Sequence, residues 1–501
     1  MRIGVRSQQT ATTMIDIMTK IHDKFSIEFK VGFVARRKLR MNDFSVGMWI
    51  FVPNSLDINP STYPKSKFYR DVKSNVRLIT PRFLLREIVG VEAVPLHNIE
   101  RAFQTLASSP TRTAIADYEY QIKMFVAIVK SALRDELNHI ISLKLDSDIE
   151  ELCRGYMDSV TAITTEFRRL RSIINTPTVP PEVLNCYLFG DEYLCALINQ
   201  RTLALIRFLE RRSAERYVGL TTELSEMLRR EQLYCNQMGY GALKVGDRRN
   251  NRDLVYRYGV LKKYIESDLF LKVPKKRDGV VVEQLYYSIA AGLSMIFATI
   301  VSFAFQQRYG NFTIPLFIAL VVSYMLKDRI KELMRFYFAH RVGSKYFDNK
   351  ATISINNHPI GWMKEGMDFI SENKVPHEVM ELRRRSALLQ AENRLSYEKI
   401  ILYRKSVHID RSKLDSNNII YPMNGINDII RLHVNTFIQK LDNPQVPLWL
   451  LNDEGKVEAV ECDKVYFLNI VLQYQYEDKV MYRRVRIGVS RSGIKSIDEM
   501  E

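Results

Sequence analysis

Five cysteines and eight histidines are the residues of this 501-residue chain best suited to metal binding or nucleophilic chemistry. Cys153, Cys186, Cys195, Cys235 and Cys462 contain no C-x-x-C pair, and four of them lie in stretches of helical periodicity, so they read as buried thiols of a reducing compartment. The histidines, at positions 22, 97, 139, 340, 358, 377, 408 and 433, form neither H-E-x-x-H nor H-x-H, spacings that aim two rings at one ion. No metal and no cofactor is expected. Phosphate-cradling G-x-x-x-x-G-K-[ST] and G-x-G-x-x-G runs are absent, and Gly239-Tyr240-Gly241 reads as a helix break. Glu454-Gly455-Lys456 has the Glu-x-Lys spacing of a nuclease, but its glutamate falls in a hairpin turn. No G-x-S-x-G occurs, so no catalytic residue is assigned and a non-enzymatic protein is favoured.

A second group is basic. Lys65, Lys67, Arg70, Lys73, Arg77, Arg82 and Arg86 face only Asp71 and Glu87, interleaved with Tyr63, Phe68 and Tyr69, and Arg36, Arg37, Lys38 and Arg40 form another cluster. Cations among aromatic rings suit nucleic-acid phosphates and bases, anionic lipid head groups, or a plain solvated face. Lys65, Lys67, Arg70, Lys73 and Arg77, with Lys275, Lys276 and Arg277 further on, are the candidate contacts for anionic lipid or nucleic acid. The overall balance, 73 Lys+Arg against 57 Asp+Glu for a net charge of +16, favours an anionic partner of either kind.

Lys275 to Arg277 stand directly ahead of a long apolar segment. Between Glu283 and Arg308 lie 24 residues without a charge, and between Arg308 and Lys327 a further 18. About 20 helical residues cross a hydrocarbon core of about 30 Å. Spans at 285–305 and 312–326 are therefore expected, with Pro315 near the start of the second, where its missing N–H matters least. Lys272, Lys275, Lys276 and Arg277 precede the pair, and Lys327, Arg329, Lys331, Arg335 and Arg341 follow it. The connector carries only Arg308. This asymmetry places both termini in the cytoplasm. Ala290, Ser294, Ala298 and Ser302 recur every fourth residue, a small-residue stripe that lets a second helix approach, either the other span or another copy of the chain. Neither span contains an ionisable residue other than tyrosine, which disfavours an ion pathway.

The soluble elements follow from periodicity. Ile27, Phe29, Val31 and Phe33, then Val46, Met48, Ile50 and Val52, alternate as strands. From Ile115 the period becomes helical, through Tyr118, Ile122, Phe125, Val129, Leu133, Leu137 and Ile140. Ser147 and Glu150 suggest a capping box for the next helix, and further helices are expected near 182–210, 213–235 and 252–270. A helix near 377–396 follows a loop at His358-Pro359. Ile426 to Leu441 reads as a helix and 446–451, 456–461, 464–476 and 480–490 as strands.

The expected architecture is a multidomain membrane protein of mixed α and β structure. Residues 1–95 form a basic β-rich domain, 110–272 a helical bundle, 284–326 a transmembrane hairpin, 327–425 a juxtamembrane helix and connecting region, and 426–501 a carboxy-terminal α+β domain. Nothing in Met1 to Lys30 resembles a signal peptide. The function expected is that of an integral protein of the cell or inner membrane with cytoplasmic interaction, scaffold or sensory domains. The partners expected are membrane lipid, further proteins, and a second copy through the hairpin. The alternative is a membrane-anchored nucleic-acid-binding effector.

Overall fold

The computed structural model describes residues 15–36, 39–90, 93–177, 179–310, 313–343, 347–355, 358–384, 386, 388, 390–391, 398–416, 421 and 423–500. Three strands open the chain, β1 (Ile15–Asp23), β2 (Ser26–Val34) and β3 (Met41–Val52), followed by a short helix α1 (Lys65–Asp71) and β4 (Val72–Leu78). Seven helices come next: α2 (Val94–Ser108), α3 (Arg112–Ser142), α4 (Asp146–Arg169), α5 (Arg171–Ile174), α6 (Pro181–Ser213), α7 (Val218–Gln237) and α8 (Arg248–Ile265). Strand β5 (Lys275–Arg277) leads into α9 (Val280–Tyr309) and α10 (Ile314–Gly343). The remainder is β6 (Asn349–Ile355), β7 (His358–Ile370), α11 (His377–Arg383), β8 (Lys399–Asp410), α12 (Arg411–Ser416), β9 (Gly425–His433) and α13 (Asn435–Ile438). Five strands close it, β10 (Gln445–Leu451), β11 (Val457–Asp463), β12 (Tyr466–Tyr476), β13 (Lys479–Ser490) and β14 (Gly493–Met500).

The chain divides into two compact units. The first comprises Met1–Val76, Lys272–Asn417 and Gly425–Glu501, and the second Arg77–Leu271 with Asn418–Asn424. In the first, an eight-stranded sheet has the order β14-β13-β12-β3-β8-β7-β6-β5 and a four-stranded sheet the order β1-β2-β9-β4. Strand β3 is central to the larger sheet because both its edges find partners far along the chain: Ile50 is opposite Ile401 on β8 and Ile470 on β12, in antiparallel register. The two sheets meet through rings such as Phe33 on β2 and Phe44 on β3, 5.1 Å apart. At one end of the larger sheet Trp49, Phe51, Val379, Ile400, Leu402 and Val471 form a dry cluster under α11. Among the described residues the hairpin β10–β11 forms a two-stranded sheet of its own and is solvent-exposed along both strands, Leu448, Trp449, Leu450 and Leu451 included.

The second unit holds helices α2 to α8, with bounds close to those read from periodicity. Phe125 of α3 stacks on Phe167 of α4, and Phe167 on Tyr187 of α6, at 5.4 and 5.1 Å. Gly190 permits the close approach of α3 and α6, since a Cβ there would meet Ile122 at 2.8 Å. Tyr421, from the short returning segment, is buried and donates to Gln121 of α3.

Several expectations are corrected. Residues 426–433 belong to strand β9, and of the helix expected at 426–441 only Asn435–Ile438 is helical: Ile426, Ile430 and Leu432 are buried, and the β-branched run gains a ladder against β2. The region 327–425 is no mere connector, because it supplies β6, β7 and β8, and His358-Pro359 begins β7 instead of forming a loop. Within the β-rich region expected at 1–95, Lys65–Asp71 is helical. Divisions at 95 and 426 do not match the two units, since the first and last thirds of the chain share sheets. The box at Ser147 does not form: α4 begins at Asp146, and the Ser147 hydroxyl binds Asp148. The helix expected at 377–396 is interrupted: His377–Arg383 is helical, Arg384 adopts a left-handed backbone, and the described residues Leu388, Gln390 and Ala391 are helical again.

Candidate functional site

Helix α9 is the one described helix long and apolar enough to cross a membrane, and only 11% of its most apolar 18-residue window is buried. A core helix of a soluble domain would hide that surface. Instead Leu285, Met295, Ile296, Ile300 and Phe303 are between 56% and 66% exposed. Its 30 residues extend about 45 Å at 1.5 Å per residue. The two-span expectation is met only in part. Helix α10 packs on α9 and exposes Ile314, Phe317, Ile318 and Met325, but Lys327, Asp328 and Arg329 follow its apolar part without a break in the helix. Buried positions of α9 are Ala290 and Ser294; Ala298 and Ser302 of the same stripe are half-buried. On α10, Ala319 and Ser323 are buried, again small and four apart.

The candidate anion contacts do not act alike. Lys65 on α1 is held by Asp348 at 2.7 Å and Asp368 at 3.0 Å. Lys67 donates to the carbonyl of Thr62, Arg77 lies 3.7 Å from Glu266, Lys275 is 2.6 Å from Glu365, and Arg277 is 2.9 Å from Glu283. Arg70, Lys73 and Lys276 are exposed, and among the described residues they make no ion pair. Arg37 and Lys38 of the other basic cluster lie outside the described residues. Thus the charges of Lys65, Arg77, Lys275 and Arg277 are partly neutralised within the protein. Glu454-Gly455-Lys456 is a turn, with Glu454 and Lys456 exposed and paired with each other.

Two buried polar clusters were invisible as motifs. In the first unit Lys405 of β8 and Asp428 of β9 form an ion pair with both side chains wholly excluded from solvent. Ser74 of β4 donates to Asp428 at 2.7 Å and accepts from Lys405 at 2.8 Å. Beside them Glu365 accepts from Lys275, Tyr403 and Asn349 at 2.6, 2.9 and 3.1 Å. Burial pushes the Glu365 carboxyl up, but the charges of Lys405 and Lys275 outweigh it and leave it below its ordinary range. Serine beside lysine suggests a nucleophile, yet this lysine is committed to Asp428 and is fully buried, an arrangement of structural pairing.

The second cluster lies in the helical unit. Arg168 of α4 donates to Glu231 of α7, one bond at 3.0 Å, to Asp191 of α6 at 3.4 Å, and to the Cys195 sulfur at 3.5 Å. Its guanidinium also lies 3.5 Å from the ring centre of Tyr234. Tyr234 and Tyr240 each donate to Asp191 at 2.8 Å. Gly239, at φ 73°, ends α7 in the left-handed conformation that a glycine accepts, and so turns Tyr240 inward. Burial raises the Asp191 carboxyl against the opposing pull of Arg168 and both tyrosines. The Cys195 thiol is also raised, first by its hydrogen bond with Cys235 and then by burial. The sulfurs of Cys195 and Cys235 and a carboxylate oxygen of Glu231 all lie within 4.8 Å of one another.

Compared with protein-family models, curated proteins and solved structures, the chain matches none.

Proposed function

We propose that this chain is a two-pass integral membrane protein whose units outside the bilayer lie on the cytoplasmic side and act as a non-enzymatic interaction or sensory module. The observation that carries it is the pairing of strands across the two long helices. Strand β5, just before α9, pairs with β6, just after α10, with Lys276 opposite Lys350. Strand β3 likewise pairs with β8 and β12. An open sheet cannot thread through hydrocarbon, because unpaired N–H and C=O groups there cost several kcal/mol each. Its strands therefore share one side, and an even number of crossings must separate them. If α9 crosses, α10 returns. Positive charge on the flanks and a single arginine at the tip favour the cytoplasmic side for both ends.

The nucleic-acid reading has less support, since Lys65, Arg77, Lys275 and Arg277 already face carboxylates. Fractionation of the full chain tests the proposal, with single cysteines placed at Gln307 and Glu454 and labelled by a membrane-impermeant maleimide. The chain should stay in the membrane through carbonate extraction, with Gln307→Cys labelled from outside and Glu454→Cys only after permeabilisation. Release by carbonate, or labelling of both from one side, would overturn it.

A further inference from the structure

We propose that Cys195, Cys235 and Glu231 form a binding site for a soft divalent cation of the zinc class between α6 and α7. The two helices pack on each other, and each presents a pair of donors one turn apart: Cys195 and Asn199 on α6, Glu231 and Cys235 on α7. Residues spaced i, i+4 share a helix face, so facing pairs bring four side chains to one place.

The distances suit such an ion. Bonds of about 2.3 Å to sulfur and about 2.0–2.2 Å to oxygen place tetrahedral ligand atoms roughly 3.3–3.8 Å apart. The three ligand atoms lie within 4.8 Å of one another, so they need close by at most about 1–1.5 Å. Asn199 adjoins them, its amide nitrogen 4.0 Å from the Cys235 sulfur and 2.8 Å from the Cys195 carbonyl. Its own carbonyl oxygen is buried without a hydrogen-bond partner. Turning the amide over would exchange the nitrogen for this oxygen beside Cys235 and supply a fourth donor; otherwise a water completes the shell. Two thiols are the ligands that most favour zinc over magnesium or calcium.

The chemistry balances without an oxidant. Each S–H bond breaks, each sulfur forms a bond to the ion, and two protons leave to solvent; with the Glu231 carboxylate the complex carries a net charge of −1. Arg168 offsets that charge, and its bonds to Glu231 and Cys195 orient two ligands from outside the shell. Cys235 is only half-buried, which gives the ion an entry path.

Zinc and cobalt(II) ions, each added alone to the reduced full chain in detergent, test this. One ion should bind per chain, with thiolate-to-cobalt charge-transfer absorption and at least about tenfold slower alkylation of Cys235 in zinc. Cys195→Ser/Cys235→Ser should lose the absorption, Cys153→Ser should keep it, and Glu231→Gln should weaken binding roughly 10- to 100-fold. If the double variant fails to fold by circular dichroism, Cys235→Ser alone should show about half of the absorption. Absence of any thiolate band in the folded chain would sink the proposal, as would a band that survives loss of both thiols. A Cys195–Cys235 disulfide persisting in reducing buffer would do the same.

Discussion

Lys405 and Asp428 face each other across the two sheets of the first unit with neither side chain reaching solvent, and Ser74 binds both. Breaking such a pair on one side strands a charge, whereas removing both charges does not. Lys405→Met should therefore destabilise the protein by about 3–5 kcal/mol, while Lys405→Met with Asp428→Leu should recover most of that loss. Denaturant unfolding of the single and double variants in detergent measures it; equal losses in both would refute the pairing.

Acid should weaken the same region through Glu365. Its carboxyl lies below the ordinary 4.5 in the folded protein. A carboxyl lowered by folding stabilises fully above its unfolded value, and the contribution disappears as pH falls through the folded one. Thermal melting of the wild type should thus fall more steeply below about pH 4.5 than that of Glu365→Gln. Parallel curves would show that Glu365 contributes no pH dependence.

Gly361 of β7 has no room for a methyl group, because a Cβ would lie 2.1 Å from the His408 carbonyl oxygen of β8. That atom is backbone in a paired strand and cannot move without opening the ladder. Gly361→Ala should cost about 1–3 kcal/mol or more, read as a lowered denaturation midpoint. Gly292 of α9, with open space around it, is the control and should tolerate alanine.

Helix packing in the proposed membrane segment rests on small side chains. Ser294→Leu should force α9 and α10 apart and lower the stability of the detergent-solubilised chain by about 1–3 kcal/mol, without changing its oligomeric state. Ile300→Ala, on a residue 62% exposed, should change little. Loss of a dimer in the Ser294→Leu variant would instead assign the stripe to contacts between chains.

Local pattern carried the bundle. Heptad-like spacing from Ile115 to Ile140 matches α3, which packs on α2 and α4 on either side of it in sequence, and the strand read at 464–476 matches β12, paired with β13 across the next turn. It failed where partners are remote. Residues 426–441 place Ile426, Ile429 and Ile430 at spacings compatible with a helix, and only β2 and β4, some 350–400 residues away, decide for a strand. Lys405 sits in an apolar strand with nothing nearby to mark it as buried. Cys195 and Cys235 escaped attention for a related reason: 40 residues separate them, and their relation depends on how α6 and α7 face each other.

The wide separation of β3 from its neighbours also sets an order of assembly. β3 ends at Val52 and β8 starts at Lys399, so 347 residues must be synthesised before the first of its two edges meets its ladder. At roughly 5–20 residues per second that wait is about 17–70 s. Throughout it Trp49, Ile50, Phe51 and Val52 form an apolar strand with both edges bare, the kind of segment that recruits foreign strands. α9 and α10 emerge within the same interval. The chain must therefore settle α9 and α10 while its central strand still lacks both partners, so the order of assembly runs from the helices to the sheet.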